Sequence, residues 1–515
     1  MQKYRKYVII YAFLLCFRFW ISQSNSYIHP DEQLQSLQII AGKFLNWKVE
    51  LPWEFTSEEP IRSMVPLYLM LLPAFYTAKA TCHEFCKPNT IYLLARFTMF
   101  LWSLVIDFSI SRIVPPKKKW KCLLLYSISY LACSFQTHTI SNSMETVFMF
   151  LTIMFLSKLA VSSVKSRKSY LLSVAASIST TIGLFTRITF LAFVFVPYIY
   201  YGFRWLKNNR QNMLLIFSHI FLMFCSCVLI SSLCLYEDYK FYGKFTVTLL
   251  NNISYNSRFE NLALHGIHSK TQHFFVNVPL LCGPLLPTFS LWNIRNAQAW
   301  FWIFPVAVLS IFPHQEARFL LPAISLYVVF AARYIRSRFL LLLFIIYSIV
   351  MSVFYGIMHQ NGVVPSVVEL GSILRDNGLL NQTSNNYYPA TIYYWRTYTA
   401  PTWMLARPNS SPIDVVQLYN YSKEQTLSLF WEDHHNTQKL EKEFINFVSS
   451  KTISFPILVC PIALLQSDED TKGLQLLKYI PYHVDLDDAD ELPLADLIRN
   501  HGIGIYAAKE VNMDP

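Results

Sequence analysis

From Tyr7 to Met358 the chain alternates apolar runs with short polar breaks, and beyond Met358 the alternation stops. The runs cover residues 7–22, 91–113, 121–135, 147–163, 170–186, 188–203, 213–236, 276–292, 298–313, 319–335 and 339–357. Most have the roughly 17–25 residues that an α-helix needs to cross about 30 Å of hydrocarbon, which predicts a mainly α polytopic membrane bundle of about eleven crossings. A further run, residues 64–78, carries Pro66 and Pro73 and is expected to be re-entrant or interfacial. Residues 359–515 read as an α+β region, with candidate strands Ile453 to Val459 and Gly504 to Ala508 and an acidic stretch from Asp485 to Glu491. The expected organisation is a membrane module over 1–358, with luminal loops 23–63 and 237–275, followed by a luminal region over 359–515.

Charge sets the orientation. Residues 1–358 hold 32 Lys+Arg against 13 Asp+Glu, whereas residues 359–515 hold 11 against 19. The bases cluster in short breaks: Lys117 to Lys121, then Lys165, Arg167 and Lys168, then Arg204, Lys207 and Arg210, then Arg333, Arg336 and Arg338. Positive-inside sorting places all four clusters in the cytosol, so the N-terminus is cytosolic and, after an odd number of crossings, the C-terminus is luminal. The same sorting accounts for the basic excess without nucleic acid. Sequons at Asn252, Asn381, Asn409 and Asn420 all fall on the luminal side of this map and are candidate glycosylation sites. The first run follows Lys3, Arg5 and Lys6, contains Arg18 and lacks a small-residue cleavage site, which suits a retained signal anchor. Asp107 lies inside an apolar run and should face other helices, near Arg112 or Arg96. The ten cysteines show no disulfide framework. Cys82 and Cys86 flank His83 at a spacing a metal could use, but no second pair completes a site.

Chemistry concentrates in the luminal segments. Residues 23–60 hold six of the thirteen acids of the membrane part, beginning His29-Pro30-Asp31-Glu32. Leu34, Leu37, Ile40 and Phe44 follow at helical spacing, so the carboxylates should open an amphipathic helix at the membrane surface. There a carboxylate can serve as the base that glycosyl transfer with inversion requires, or it can simply complement a helix N-terminus. A second group, His314-Gln315-Glu316-Ala317-Arg318-Phe319, offers a guanidinium fork suited to phosphate oxygens, unless Arg318 only pairs with Glu316. Trp53-Glu54-Phe55 with Arg62, Thr137 to Glu145 with Asn142 and Glu145, and Asn251 to His268 with Asn252, Asn256, His265 and His268 are further sugar-binding candidates.

Taken together, these motifs resemble the dolichyl-phosphate-mannose-dependent mannosyltransferases of glycosylphosphatidylinositol (GPI) and N-glycan assembly. That family has a Pro-Asp-Glu element after its first helix and a late His-Lys-Glu-x-Arg-Phe element. Here Pro30-Asp31-Glu32 and His314 to Phe319 match them, with Gln315 replacing the lysine. The likeness covers roughly residues 7–340 and takes in Arg62-Ser63 and Ser141 to Glu145. His29 and the run from Asn251 to His268 are most similar to members that add the fourth mannose of the GPI precursor. The resemblance implies a GT-C fold, a luminal active site, no metal or other cofactor, a dolichyl-phosphate-mannose donor and a GPI precursor lipid as acceptor. It also implies Asp31 as base with Glu32 assisting, and His314, Glu316 and Arg318 at the donor phosphate. Two other classes fit a polytopic chain. A transporter or scramblase usually carries charge at the bilayer midplane, whereas these polar residues gather on one face. A non-catalytic assembly subunit would differ from an enzyme only in an assay with lipid donor.

Overall fold

The computed structural model describes residues 2–82, 86–264, 266–289, 295–376, 390–411, 413–443, 455–465, 467, 469–485 and 500–509. The chain forms two compact units: Met1–Gln23, Pro52–Thr77 and Leu94–Ser352 in the first, and Ser24–Leu51, Ala78–Leu93 and Val353–Pro515 in the second.

The first unit is a helical membrane module. Among the described residues five helices are long and apolar enough to cross a bilayer: Pro88–Ile113, Arg167–Thr186, Met213–Tyr242, Ala317–Tyr334 and Arg338–Met358. A sixth span arises if Tyr130–Thr137 and Ser141–Leu159, which meet at a 118° bend, are counted together. Helices also occupy other expected crossings, at Gln2–Ser22, Phe190–Asn209 and Trp300–Leu309, but are shorter, more charged or more polar. The expected crossing at 276–292 breaks into short turns. Gly283 adopts a positive φ of 52° and Pro284 follows, so an α-helical turn ending at Cys282 gives way to the 3₁₀ turn Gly283–Thr288.

Residues Met64–Thr81 form one continuous helix across Pro73. Proline cannot donate to the Leu69 carbonyl one turn back, and the indole Nε1 of Trp102 does so instead at 3.3 Å. Comparable polar bonds tie the other helices together. His219 is fully buried and bonds Ser169, Ser173 and the Val164 carbonyl at 2.9–3.1 Å, stacking on Tyr170 with ring centroids 3.9 Å apart. Asp238 accepts from the Ser63 hydroxyl (3.0 Å), the Met64 amide (2.8 Å) and the Thr248 hydroxyl (3.1 Å). Asp107 does face other helices, but its partner is Arg18. The guanidinium donates to both carboxylate oxygens at 3.0 and 3.4 Å, and Tyr11 adds a third bond at 2.7 Å.

The second unit is built on a five-stranded mixed sheet: β1 (Ala390–Trp395), β2 (Ile413–Leu418), β3 (Ile457–Pro461), β4 (Leu474–Pro481) and β5 (Gly502–Ala508). The order is β2-β1-β3-β5-β4, parallel through the first three and antiparallel thereafter. Both expected strands are present, with bounds a few residues different, and residues 453 and 454 lie outside the described set. Strand alternation distributes β1 between two layers. Tyr393 and Trp395 join Phe430 of helix Lys423–Glu443 in one core, while Tyr394 bonds Ser366 of helix Val363–Asp376. The helix expected to float at the membrane surface is instead enclosed within this unit, because Leu37 and Ile40 are buried and so are Gln33 and Gln38. Gln33 accepts from the Trp403 indole at 3.1 Å and Gln38 from Thr402 at 3.3 Å, so its polar side is satisfied by protein. Cys82 and Cys86 are joined in a disulfide, a use of the pair that spacing alone did not reveal and that suits an oxidising compartment.

The Arg18–Asp107 pair is wholly buried, so replacing Asp107 by Leu should strand the guanidinium and cost about 3–5 kcal/mol. The double replacement Arg18→Met, Asp107→Leu should recover most of that loss. Thermal unfolding of the purified protein in detergent measures both, and equal destabilisation by single and double variants would exclude the pairing.

Candidate active site

In the second unit the turn Tyr27–Gln33 separates its two carboxylates. The Glu32 amide closes onto the His29 carbonyl at 2.9 Å, which begins the helix. Its side chain is fully buried and accepts from the Ile28 amide at 3.2 Å, so Glu32 holds the turn from inside. Asp31 is 21% exposed. Its amide donates to His29 Nδ1 at 3.1 Å, and its carboxylate lies 3.6 Å from the same nitrogen. Tyr27 braces the turn by donating to the Pro30 and Thr399 carbonyls, each at 3.1 Å. His29 and Pro30 line an open cleft of about 430 Å³ with Arg396, Tyr398, Tyr419, Asn420 and Asp485. The sequon residue Asn420 thus sits on the wall of this cleft. Behind it His359 packs edge-on to Tyr398 at 5.5 Å, and His483 accepts from the Gly362 amide at 3.3 Å.

In the first unit, polar stretches far apart in sequence converge. Glu316 is shared: Oε1 accepts from His314 Nε2 at 2.7 Å and from Arg318 Nη2 at 3.2 Å, and Oε2 accepts from Arg318 Nε. His314 Nδ1 faces the Gly266 carbonyl at 3.2 Å. The His268 amide donates to the Pro313 carbonyl at 2.8 Å, and its ring lies 5.8 Å from that of His314. Gln315 points inward. Its amide oxygen accepts from the His273 amide at 2.9 Å, and its nitrogen donates to the Ser310 and Phe312 carbonyls at 3.0 and 2.9 Å. A lysine could not accept from His273, so the substitution relative to the family motif converts a cation into a neutral clamp on this loop.

Arg187, which carries no motif, joins this loop to another stretch. It pairs with buried Glu145 at 3.6 Å and donates to Ser141 at 3.0 Å. Glu145 also accepts from Thr189 at 2.6 Å and Asn142 at 3.3 Å. The Phe319 ring lies 5.0 Å from the Arg187 guanidinium and 5.2 Å from that of Arg318, so one aromatic side chain serves two arginines. A third acid–base pair, Glu54–Arg62 at 3.4 Å, lies beside Trp53, which packs on Tyr255 with centroids 4.5 Å apart. Helix Thr248–Ser257 carries Asn252 and Asn256, bonded to each other at 3.0 Å, and Asn251 reaches the Pro60 carbonyl at 3.0 Å. Asn409 bonds Asn46 at 3.1 Å in the second unit, while His265 and Asn381 lie outside the described residues. Among the described residues, no group of histidine, cysteine and acid side chains could hold a metal ion.

A helical membrane module, polar loops joined by Glu–Arg pairs and a mixed C-terminal sheet define a multi-pass membrane glycosyltransferase of the GT-C type. ArnT from Cupriavidus metallidurans, solved with undecaprenyl phosphate bound, shares the fold, with a TM-score of 0.51 over 99% of both chains at 11% identity. The chain belongs to the Alg9-like mannosyltransferase family, whose model matches residues 9–407. It is 51% identical to GPI mannosyltransferase 4 of Schizosaccharomyces pombe over 99% of this chain and 97% of the relative. With GPI mannosyltransferase 4 of Aspergillus oryzae it shares 31% identity over 97% and 98% of the two chains.

Burial lowers the pKa of three histidines from 6.5: His273 and His359 to about 4, helped respectively by His268 with His314 and by His29, and His483 to about 3, helped by His359. Each stays neutral in the folded protein where the unfolded chain would already take up a proton. The contribution of each such histidine to stability therefore falls as pH drops from about 6.5 towards 4, by about 1.4 kcal/mol per pH unit. Thermal unfolding across that window checks it. A His483→Phe variant should show a shallower dependence, which separates this effect from Glu50, whose pKa burial raises.

Proposed function

We propose that the chain transfers mannose from dolichyl-phosphate-mannose to the third mannose of the GPI precursor, adding the fourth in α-1,2 linkage at the luminal face of the endoplasmic reticulum membrane. Similarity to relatives named for this step, extending over nearly the whole of both chains, carries the reading. The N-terminus is assigned to the cytosol and the C-terminus to the lumen.

Asp31 is assigned as the base. It takes the proton of the acceptor hydroxyl as that oxygen bonds to the mannosyl C1, with inversion, and dolichyl phosphate leaves with the bonding electrons. Its partial exposure supports this role, while enclosed Glu32 suits positioning of the turn. Arg318 and His314 are assigned to the departing phosphate, with Glu316 keeping both oriented until the donor arrives. Sugar contacts are assigned to His29, Trp53, Glu54, Arg62, Asn142, Glu145, Asn252, Asn256, His265 and His268.

Cells depleted of the protein should accumulate a GPI precursor with three mannoses. Wild-type chain should clear it, and Asp31→Asn, which keeps the shape and loses the base, should not, although it inserts normally. Accumulation of a two-mannose precursor or of an N-glycan intermediate would overturn the assignment.

Arg318→Lys keeps the charge and loses the fork, so a two-bond phosphate contact should weaken by about 1.5–3 kcal/mol. Donor KM then rises on the order of tenfold or more. An unchanged KM with a lowered melting temperature would mean that Arg318 serves only its pairing with Glu316.

A further inference from the structure

Helix Ala317–Tyr334 carries Arg318 at one end and Arg333 at the other. Its eighteen residues span about 27 Å, roughly the thickness of the hydrocarbon layer. At the Arg333 end the first unit has a cleft of about 550 Å³, lined by Pro115, Pro116, Lys117, Lys118, Arg333 and Tyr334. Two elements build it. Lys118, in the turn after helix Pro88–Ile113, donates to the Arg333 carbonyl at 2.9 Å and lies 5.4 Å over the Tyr334 ring. Lys121 donates to the Ile335 carbonyl. These bonds use the terminal carbonyls of the helix and fix one wall against the other. Arg333 is held by Gln298 Oε1 at 2.6 Å. Lys117 is exposed, and the lining contains no carboxylate.

Positive-inside sorting explains why cations gather at this end of the helices. It does not explain why three of them, from two separate elements, line one open cleft with an aromatic wall and two prolines. We propose that this cleft binds the phosphate of an anionic phospholipid headgroup. The charge is complementary, the cleft is large enough for a phosphate with its polyol, and the next helix, Arg338–Met358, opens with Phe339 and Leu342 exposed as a surface for acyl chains. This assignment is independent of the mannosyl-transfer reading, because none of the lining residues belongs to that chemistry.

The test uses the full chain in nanodiscs of phosphatidylcholine alone and of phosphatidylcholine with phosphatidylinositol. Lipids retained after transfer to mild detergent are counted by native mass spectrometry. Wild type should retain phosphatidylinositol in preference to phosphatidylcholine, Lys117→Gln should retain about fivefold less of it, and Lys117→Arg should match wild type. Lys117 is exposed, so these variants should fold, and transfer activity in phosphatidylcholine nanodiscs should be unchanged. Equal retention by Lys117→Gln and wild type would overturn the proposal. So would displacement of the lipid by inorganic phosphate at comparable concentration, which would make the cleft a site for free anions.

Discussion

A guanidinium inside a membrane module has to find its counter-charge within the protein, and the Arg18–Asp107 pair meets that requirement for the first helix. Arg18 has no exposed surface, and its side-chain hydrogen bonds link helix Gln2–Ser22 to another element. It bonds Asp107 and Ser103 of helix Pro88–Ile113, and Arg96 of the same helix returns a bond to the Ser22 carbonyl at 2.9 Å. These bonds run along one helix–helix seam, which leaves little freedom for one helix to rotate against the other. Elsewhere the same constraint recurs at His219 and at the Leu69 carbonyl freed by Pro73. Polar atoms placed in these seams leave the outer faces apolar, as the exposed Leu214, Phe217, Phe221 and Phe224 show.

The loops follow another electrostatic pattern. Glu54–Arg62, Glu145–Arg187 and Glu316–Arg318 each match one acid to one base. A cluster composed this way carries little net charge while still presenting three planar donor forks. For the phosphate proposed at Arg318, Glu316 already orients the donors, so less ordering would be left to do on binding.

Much of this was legible in the chain itself. Apolar run lengths located most of the helices, and short-range motifs drew attention to Asp31 and to the His314–Phe319 stretch, because adjacency in sequence is enough to bring those groups together. What escaped were contacts that depend on a distant partner. Glu32 and Asp31 are indistinguishable neighbours until the Ile28 amide claims one of them. Arg187 is a single base in a turn between helices, and only Glu145 and Phe319 give it meaning. The amphipathic pattern after Glu32 correctly indicated a helix, but not that Trp403 and Thr402 would cover its polar side. Asp107 was expected near Arg96 or Arg112 because they share its apolar run, yet its partner arrives from 89 residues away.

Helix Met213–Tyr242 has thirty residues, few of them buried. Its apolar run, residues 213–236, is about 36 Å long and exceeds a hydrocarbon layer of roughly 30 Å. A mismatch of that size is relieved by tilt or by local thickening of the lipid, and thinner membranes demand more tilt. Asp238 lies near the end of this helix and holds Ser63, Met64 and Thr248. Tilt of this helix would therefore be passed, through one carboxylate, to the segment that carries Trp53 and Arg62, which would make the lipid composition of the membrane a variable in the geometry of those loops.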